Sequence, residues 1–155
     1  MTHSLRVARL IASLAIVLVA AGCTSAAPSP GGTPDGSVGP LAGTSWIVVT
    51  VNGRSPLAGA VPTLSFTGER IQAFFGCNQG GGSYRLDPST GAFAVSDLSE
   101  TAMGCLQPGV MEFETALVQT LGSASRASVD STGRLLLAGP GGAIAAVPLE
   151  HPAAS

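Results

Sequence analysis

Lysine is missing from all 155 residues, and the seven basic residues, every one an arginine, face nine acids for a formal net charge of −2. A nucleic-acid-binding surface needs a basic stripe to neutralise phosphates, and this composition supplies none. Histidine is almost as scarce, with His3 and His151 at the two ends of the chain. Histidine-based triads and histidine-ligated metal sites are thereby excluded from the interior of the fold. Aromatic residues make up only 5%, and Trp46 and Tyr84 are the sole Trp and Tyr. The length admits one domain with a tail, and not a large two-domain enzyme.

What is present begins with an address. Residues 1–9 carry Arg6 and Arg9 and no acid, and residues 10–21 (LIASLAIVLVAA) form an apolar run. At about 1.5 Å per residue this run spans roughly 18 Å, well short of the ~30 Å hydrocarbon core of a bilayer. It reads as the hydrophobic region of a signal peptide. It ends in Ala20-Ala21-Gly22-Cys23, which resembles the lipobox of bacterial lipoproteins, with Ala20 where Leu is most frequent. The resemblance implies cleavage after residue 22 and a diacylglycerol on Cys23. Two or three acyl chains, at ~0.8 kcal/mol per buried CH₂, hold a protein on a membrane almost permanently. An ordinary secretory signal with an incidental Cys23 is the alternative. The expected location is extracytoplasmic, anchored to the cell membrane through Cys23. Residues 24–40 (TSAAPSPGGTPDGSVGP) offer almost nothing to bury, so residues 23–40 read as a lipidated N-terminus and flexible tether.

From residue 41 onward the texture changes. Residues 45–51 (SWIVVTV) are rich in β-branched and aromatic side chains and stop at the turn dipeptide Asn52-Gly53. Residues 62–66 and 71–75 predict a hairpin around Gly68; residues 83–86 and 92–95 predict another, and residues 126–129 and 134–138 a third. Residues 143–149 form a last strand after Pro140-Gly141-Gly142. Residues 109–121 (GVMEFETALVQTL) instead place Val110, Phe113, Leu117 and Leu121 at helical spacing, with Glu112, Glu114 and Gln119 read as lying off that stripe. The expected fold is α+β: a curved antiparallel sheet or partial barrel of about eight short strands with one packed helix. It spans residues 41–149, and residues 150–155 form a loose end.

With Cys23 assigned to lipid, Cys77 and Cys105 remain. The favoured reading is a structural disulfide closing residues 77–105 into a loop, for roughly 3–4 kcal/mol on the chain-entropy model. Two unpaired thiols and a redox dithiol are the alternatives; no CxxC spacing supports the last. The glycines in Gln79–Ser83 (QGGGS) lack the lysine of a phosphate loop and read as a tight turn or positive-φ segment. Asp97 and Glu100 flank Thr101 and read as solvated loop acids. Asn78 is expected to order the following loop or to edge a small-ligand or peptide site. Trp46 and Tyr84 are expected to line the core with their polar tips at the surface. With no internal histidine, two cysteines expected in a bridge and no acids at calcium-loop spacing, no metal and no cofactor is expected.

The ordered set Gly76-Cys77-Asn78, Gly82-Ser83-Tyr84, Thr101-x-Met103-x-Cys105 and Glu112-Phe113-Glu114, opened by Leu41-x-Gly43-Thr44-x-Trp46, resembles the META domain of HslJ-like proteins. The resemblance covers about residues 41–149. It implies a small secreted or lipid-anchored envelope protein with a helix packed on a curved sheet. Some members are linked to heat-shock response, motility or novobiocin resistance, and no enzymatic activity is established for the family. The expectation is therefore a non-catalytic envelope module. It would bind an envelope protein or a small hydrophobic ligand, support envelope integrity or stress tolerance, and have no nucleic-acid partner. A cell-surface hydrolase or thiol-redox enzyme using Cys77 and Cys105 or the acids around Thr101 is the competing reading.

Overall fold

The computed structural model describes residues 39–150; the signal peptide, Cys23, most of the tether and residues 151–155 lie outside the described residues. The element order is β1 (Ser45–Val51), β2 (Thr63–Thr67), β3 (Arg70–Phe74), β4 (Gln79–Leu86), β5 (Phe93–Glu100), α1 (Val110–Gly122), β6 (Arg126–Val129), β7 (Leu135–Gly139) and β8 (Gly142–Pro148). All eight strands join one antiparallel sheet in the order β5-β4-β3-β2-β1-β8-β7-β6. The sheet curls into a half-barrel, as the sequence leads one to expect. Its two edge strands meet only at their first residues: Phe93 N donates to Ser125 O at 3.0 Å, and Ala127 N to Gly91 O at 2.8 Å.

Alternation builds the inner face. Val48 from β1, Leu64 and Phe66 from β2, Ile71 from β3 and Ile144 from β8 point inward and are almost wholly buried. An extra residue in β1, between Val48 and Thr50, shifts the register so that Val51 also faces the core. Helix α1 crosses the region where the sheet edges part and packs on β1, β5, β7 and β8. Phe113, Leu117 and Leu121 form its buried stripe, each contributing roughly 1.5–3 kcal/mol through burial. The turns follow the sequence closely. Asn52 and Gly53 take positive φ angles of 52° and 78°, the pair of conformations a tight two-residue hairpin needs. Asp130 accepts hydrogen bonds from Thr132 and Arg134, which holds its carboxyl below the ordinary aspartate range.

Two expectations fail here, for one reason. Residues 79–83 are not a loop, and their glycines do not take positive φ angles; they open β4. Extended glycines are needed because neighbouring backbone comes too close for a side chain. A Cβ on Gly80 would overlap the Ser99 carbonyl oxygen and press on the Phe75 ring; one on Gly82 would press on the Ser96 carbonyl oxygen. With β4 lengthened, β5 lengthens too, so Asp97 and Glu100 stand on a strand rather than a loop. Asp97, at φ 54°, sits where β5 carries one residue more than β4. The glycine account predicts that Gly80→Ala lowers stability by about 1–3 kcal/mol in urea denaturation, whereas Gly104→Ala, where a Cβ meets open space, changes it by less than about 0.5 kcal/mol.

Candidate functional site

Gly76, at φ 127°, allows the tight turn in which Phe75 N donates to Asn78 O at 2.8 Å. This turn joins β3 to β4 and carries Cys77 and Asn78. The side chain of Asn78, only 3% exposed, reaches the segment that follows β5. Its Oδ1 accepts from Met103 N at 2.7 Å and from Thr101 Oγ1 at 2.8 Å, while its Nδ2 donates to Met103 O at 3.2 Å. Thr101 closes the arrangement from the other side, donating its backbone N–H to Gln79 O at 2.8 Å and accepting from Gln79 N at 3.2 Å. Asn78 and Thr101 thus order the segment after β5; the residues that directly follow Asn78, where the sequence leads one to expect the ordered loop, open β4 instead.

A third element joins through the backbone. Asn78 N donates to Glu114 Oε1 at 2.9 Å, and Glu114, on α1, is itself only 3% exposed. Cys77 and Cys105 are disulfide-bonded, with Cα atoms 6.1 Å apart. The other carboxylate oxygen of Glu114 lies 3.6 Å from Cys105 Sγ. One turn, one loop and one helix are thus fastened at a single point by a covalent bond, an amide side chain and a buried carboxylate. Reading Glu114 as lying off the apolar stripe is incorrect. It falls four residues after Val110 and three before Leu117, so helical spacing puts it on the buried face. That signal was available in the sequence.

Beside the network lies a cleft of about 290 Å³ lined by Asn78, Thr101, Met103, Met111, Glu114 and Thr115 among others. Trp46 and Tyr84 take no part in it. Trp46 Nε1 donates to Thr44 Oγ1 at 2.7 Å, and Tyr84 packs edge-on against Phe66, with ring centroids 4.9 Å apart. Both are core residues, 7% exposed. Burial first, then the nearby charge of Glu69, pushes the Tyr84 hydroxyl above its ordinary value. Tyr84 also borders a second, separate cleft of about 420 Å³ with Pro40, Leu41 and Leu86. Asp97 and Glu100 make no side-chain hydrogen bond or ion pair among the described residues.

The META domain model matches residues 39–150. The chain belongs to the META domain family. A solved structure described as the "NMR structure of the protein from Burkholderia xenovorans" is similar over 72% of this chain and 85% of its own, with 25% identity and a TM-score of 0.59. A second NMR structure, at 24% identity and a TM-score of 0.55, covers 69% of this chain and 90% of its own, and supports the fold alone. No curated protein matches the chain. In this META domain, removing the Asn78 side chain deletes three hydrogen bonds at once and leaves the Met103 backbone without its partner. Asn78→Ala should cost about 2–4 kcal/mol in urea denaturation with an unchanged m value; a loss under about 0.5 kcal/mol contradicts the role given to Asn78.

Proposed function

We propose that this META domain protein is a non-catalytic module of the bacterial cell envelope, anchored through lipid on Cys23, that docks an envelope protein with the loop following β5. The observation that carries the docking reading is an apolar surface on a fastened loop. Met103 is 55% exposed, Leu106 101% and Met111 42%. A fully exposed leucine forgoes the roughly 1.5–3 kcal/mol its burial would return, and here it follows directly on Cys105 of the disulfide. A loop fixed at Cys77–Cys105 and at Asn78 presents these side chains at little further cost in order, which favours recognition. The cleft beside them, about 290 Å³, is at the lower limit of sites that enclose drug-sized ligands, so a protein surface suits the patch better than a small molecule. For the anchor, support comes from the positive residues 1–9, the apolar run and the small residues before Cys23. No helix among the described residues is long and apolar enough to cross a membrane.

Native mass spectrometry of the full-length protein, extracted from its own membranes in mild detergent, tests both halves. The expected result is an acylated Cys23 and a non-covalent protein companion whose occupancy falls at least tenfold in Leu106→Glu. An unacylated Cys23 overturns the anchor. A small hydrophobic passenger in place of a protein, or an acylated chain found alone, overturns protein docking.

A further inference from the structure

The sulfurs of Cys77 and Cys105 and a carboxylate oxygen of Glu114 all lie within 4.8 Å of one another. In the oxidised chain this grouping has an imbalance. Glu114 Oε1 accepts the Asn78 amide, but the polar neighbour of Oε2 is Cys105 Sγ at 3.6 Å, and a disulfide sulfur carries no proton to donate. A carboxylate on a residue 3% exposed thus aims one oxygen at a sulfur that gives it no hydrogen bond and leaves it only the cleft side for one. Opening the bond removes the imbalance.

We propose that the dithiol form of this protein is a binding site for a thiophilic divalent cation of the zinc class, with Cys77 Sγ, Cys105 Sγ and Glu114 Oε2 as ligands. A dithiol reductant first converts the disulfide to two thiols and is itself oxidised to a cyclic disulfide, so two electrons and two protons pass to the protein. The cation then displaces both thiol protons into solvent, and the two thiolates and the carboxylate coordinate it. Tetrahedral zinc holds sulfurs about 3.8 Å apart, from Zn–S distances of ~2.3 Å. Once the bond is opened, the two sulfurs must part to that spacing from Cα atoms 6.1 Å apart. The donor set has the softness that zinc and cadmium select. The Asn78 N–H holds the Glu114 carboxylate in place from behind, as a hydrogen bond to a metal-ligating carboxylate does. Glu114 also borders the open cleft with Met103 and Met111, which gives an ion and one completing water a route to the site. This use of the cysteines needs no CxxC spacing, because the fold rather than the local sequence brings the ligands together.

The test uses the full-length chain in mild detergent with Cys23→Ser, so that two thiols are counted. The protein is reduced anaerobically with a dithiol, freed of reductant and titrated with Cd²⁺, then with Zn²⁺ in competition. The expected result is one Cd²⁺ per chain with an ultraviolet thiolate-to-cadmium charge-transfer band. The band is absent in the oxidised protein and in the Cys77→Ser/Cys105→Ser variant. Glu114→Gln should keep the band but bind at least tenfold more weakly. Far-UV circular dichroism follows the fold throughout. Should reduction unfold the chain, Cd²⁺ must restore the native spectrum, since binding to an organised site is then folding free energy. No binding by the reduced protein, binding undiminished in Glu114→Gln, equal binding by the oxidised protein, or a reduced chain that stays unfolded with Cd²⁺ each overturns the proposal.

Discussion

The side-chain amide of Asn78 joins the turn before β4 to the irregular segment after β5, beside the disulfide that ties the same two pieces covalently. A curled sheet whose edges meet only at the first residues of β5 and β6 leaves an opening, and α1 must lie across it to complete the core. The helix begins without help from its own start: Gly109, at φ 86°, precedes it and provides no side-chain cap. The segment between β5 and α1 is irregular, so its backbone groups need partners from elsewhere. Asn78 supplies them for Met103, the Gln79 carbonyl accepts from the Thr101 N–H, and the backbone of Asn78 binds Glu114 on the helix. The disulfide then limits how far loop and turn can separate. Together these contacts hold the start of the helix against the turn and the loop.

Much of this architecture is legible in the sequence, and the exceptions have physical reasons. Residues 45–51 and 126–129 announce themselves by β-branched and alternating composition and match β1 and β6 residue for residue. Asn52-Gly53 and Asp130-x-x-Gly133 work as turns because their chemistry is local: positive φ angles in one, side-chain-to-backbone bonds in the other. The triplet Gly80-Gly81-Gly82 is ambiguous in the sequence because glycine marks both turns and close strand approach. Only the neighbouring carbonyls of Ile71, Ser96 and Ser99 decide between them, and those lie far away in sequence. Glu114 is a different case. Its spacing puts it on the buried face, while its charge argues for solvent. The partner that makes burial tolerable, Asn78 N–H, comes from thirty-six residues earlier.

The same fastening gives the proposed functions their physical form. A loop that is irregular yet immobilised can carry exposed Met103 and Leu106 side chains without collapsing onto the sheet. Under the dithiol proposal, the bond that limits the loop and the atoms that would bind a cation are the same atoms. Any change at Cys77 and Cys105 would then be felt at Asn78, at the loop surface and at the first turns of α1. The far side of the sheet, β6 to β8, is held by its own ladder of hydrogen bonds and meets α1 through core packing, without a hydrogen bond to the Asn78 junction.

Amide hydrogen exchange in the native protein and in Glu114→Leu, which removes the acceptor for the Asn78 N–H at similar volume, measures this coupling most directly. The account predicts that the variant loses protection at the Asn78 amide, at Met103 and in the first two turns of α1, while Leu135, Leu137 and Ile144 keep theirs. Unchanged protection at Asn78, or a uniform loss across all eight strands, would contradict the claim that this one junction holds the helix across the open sheet.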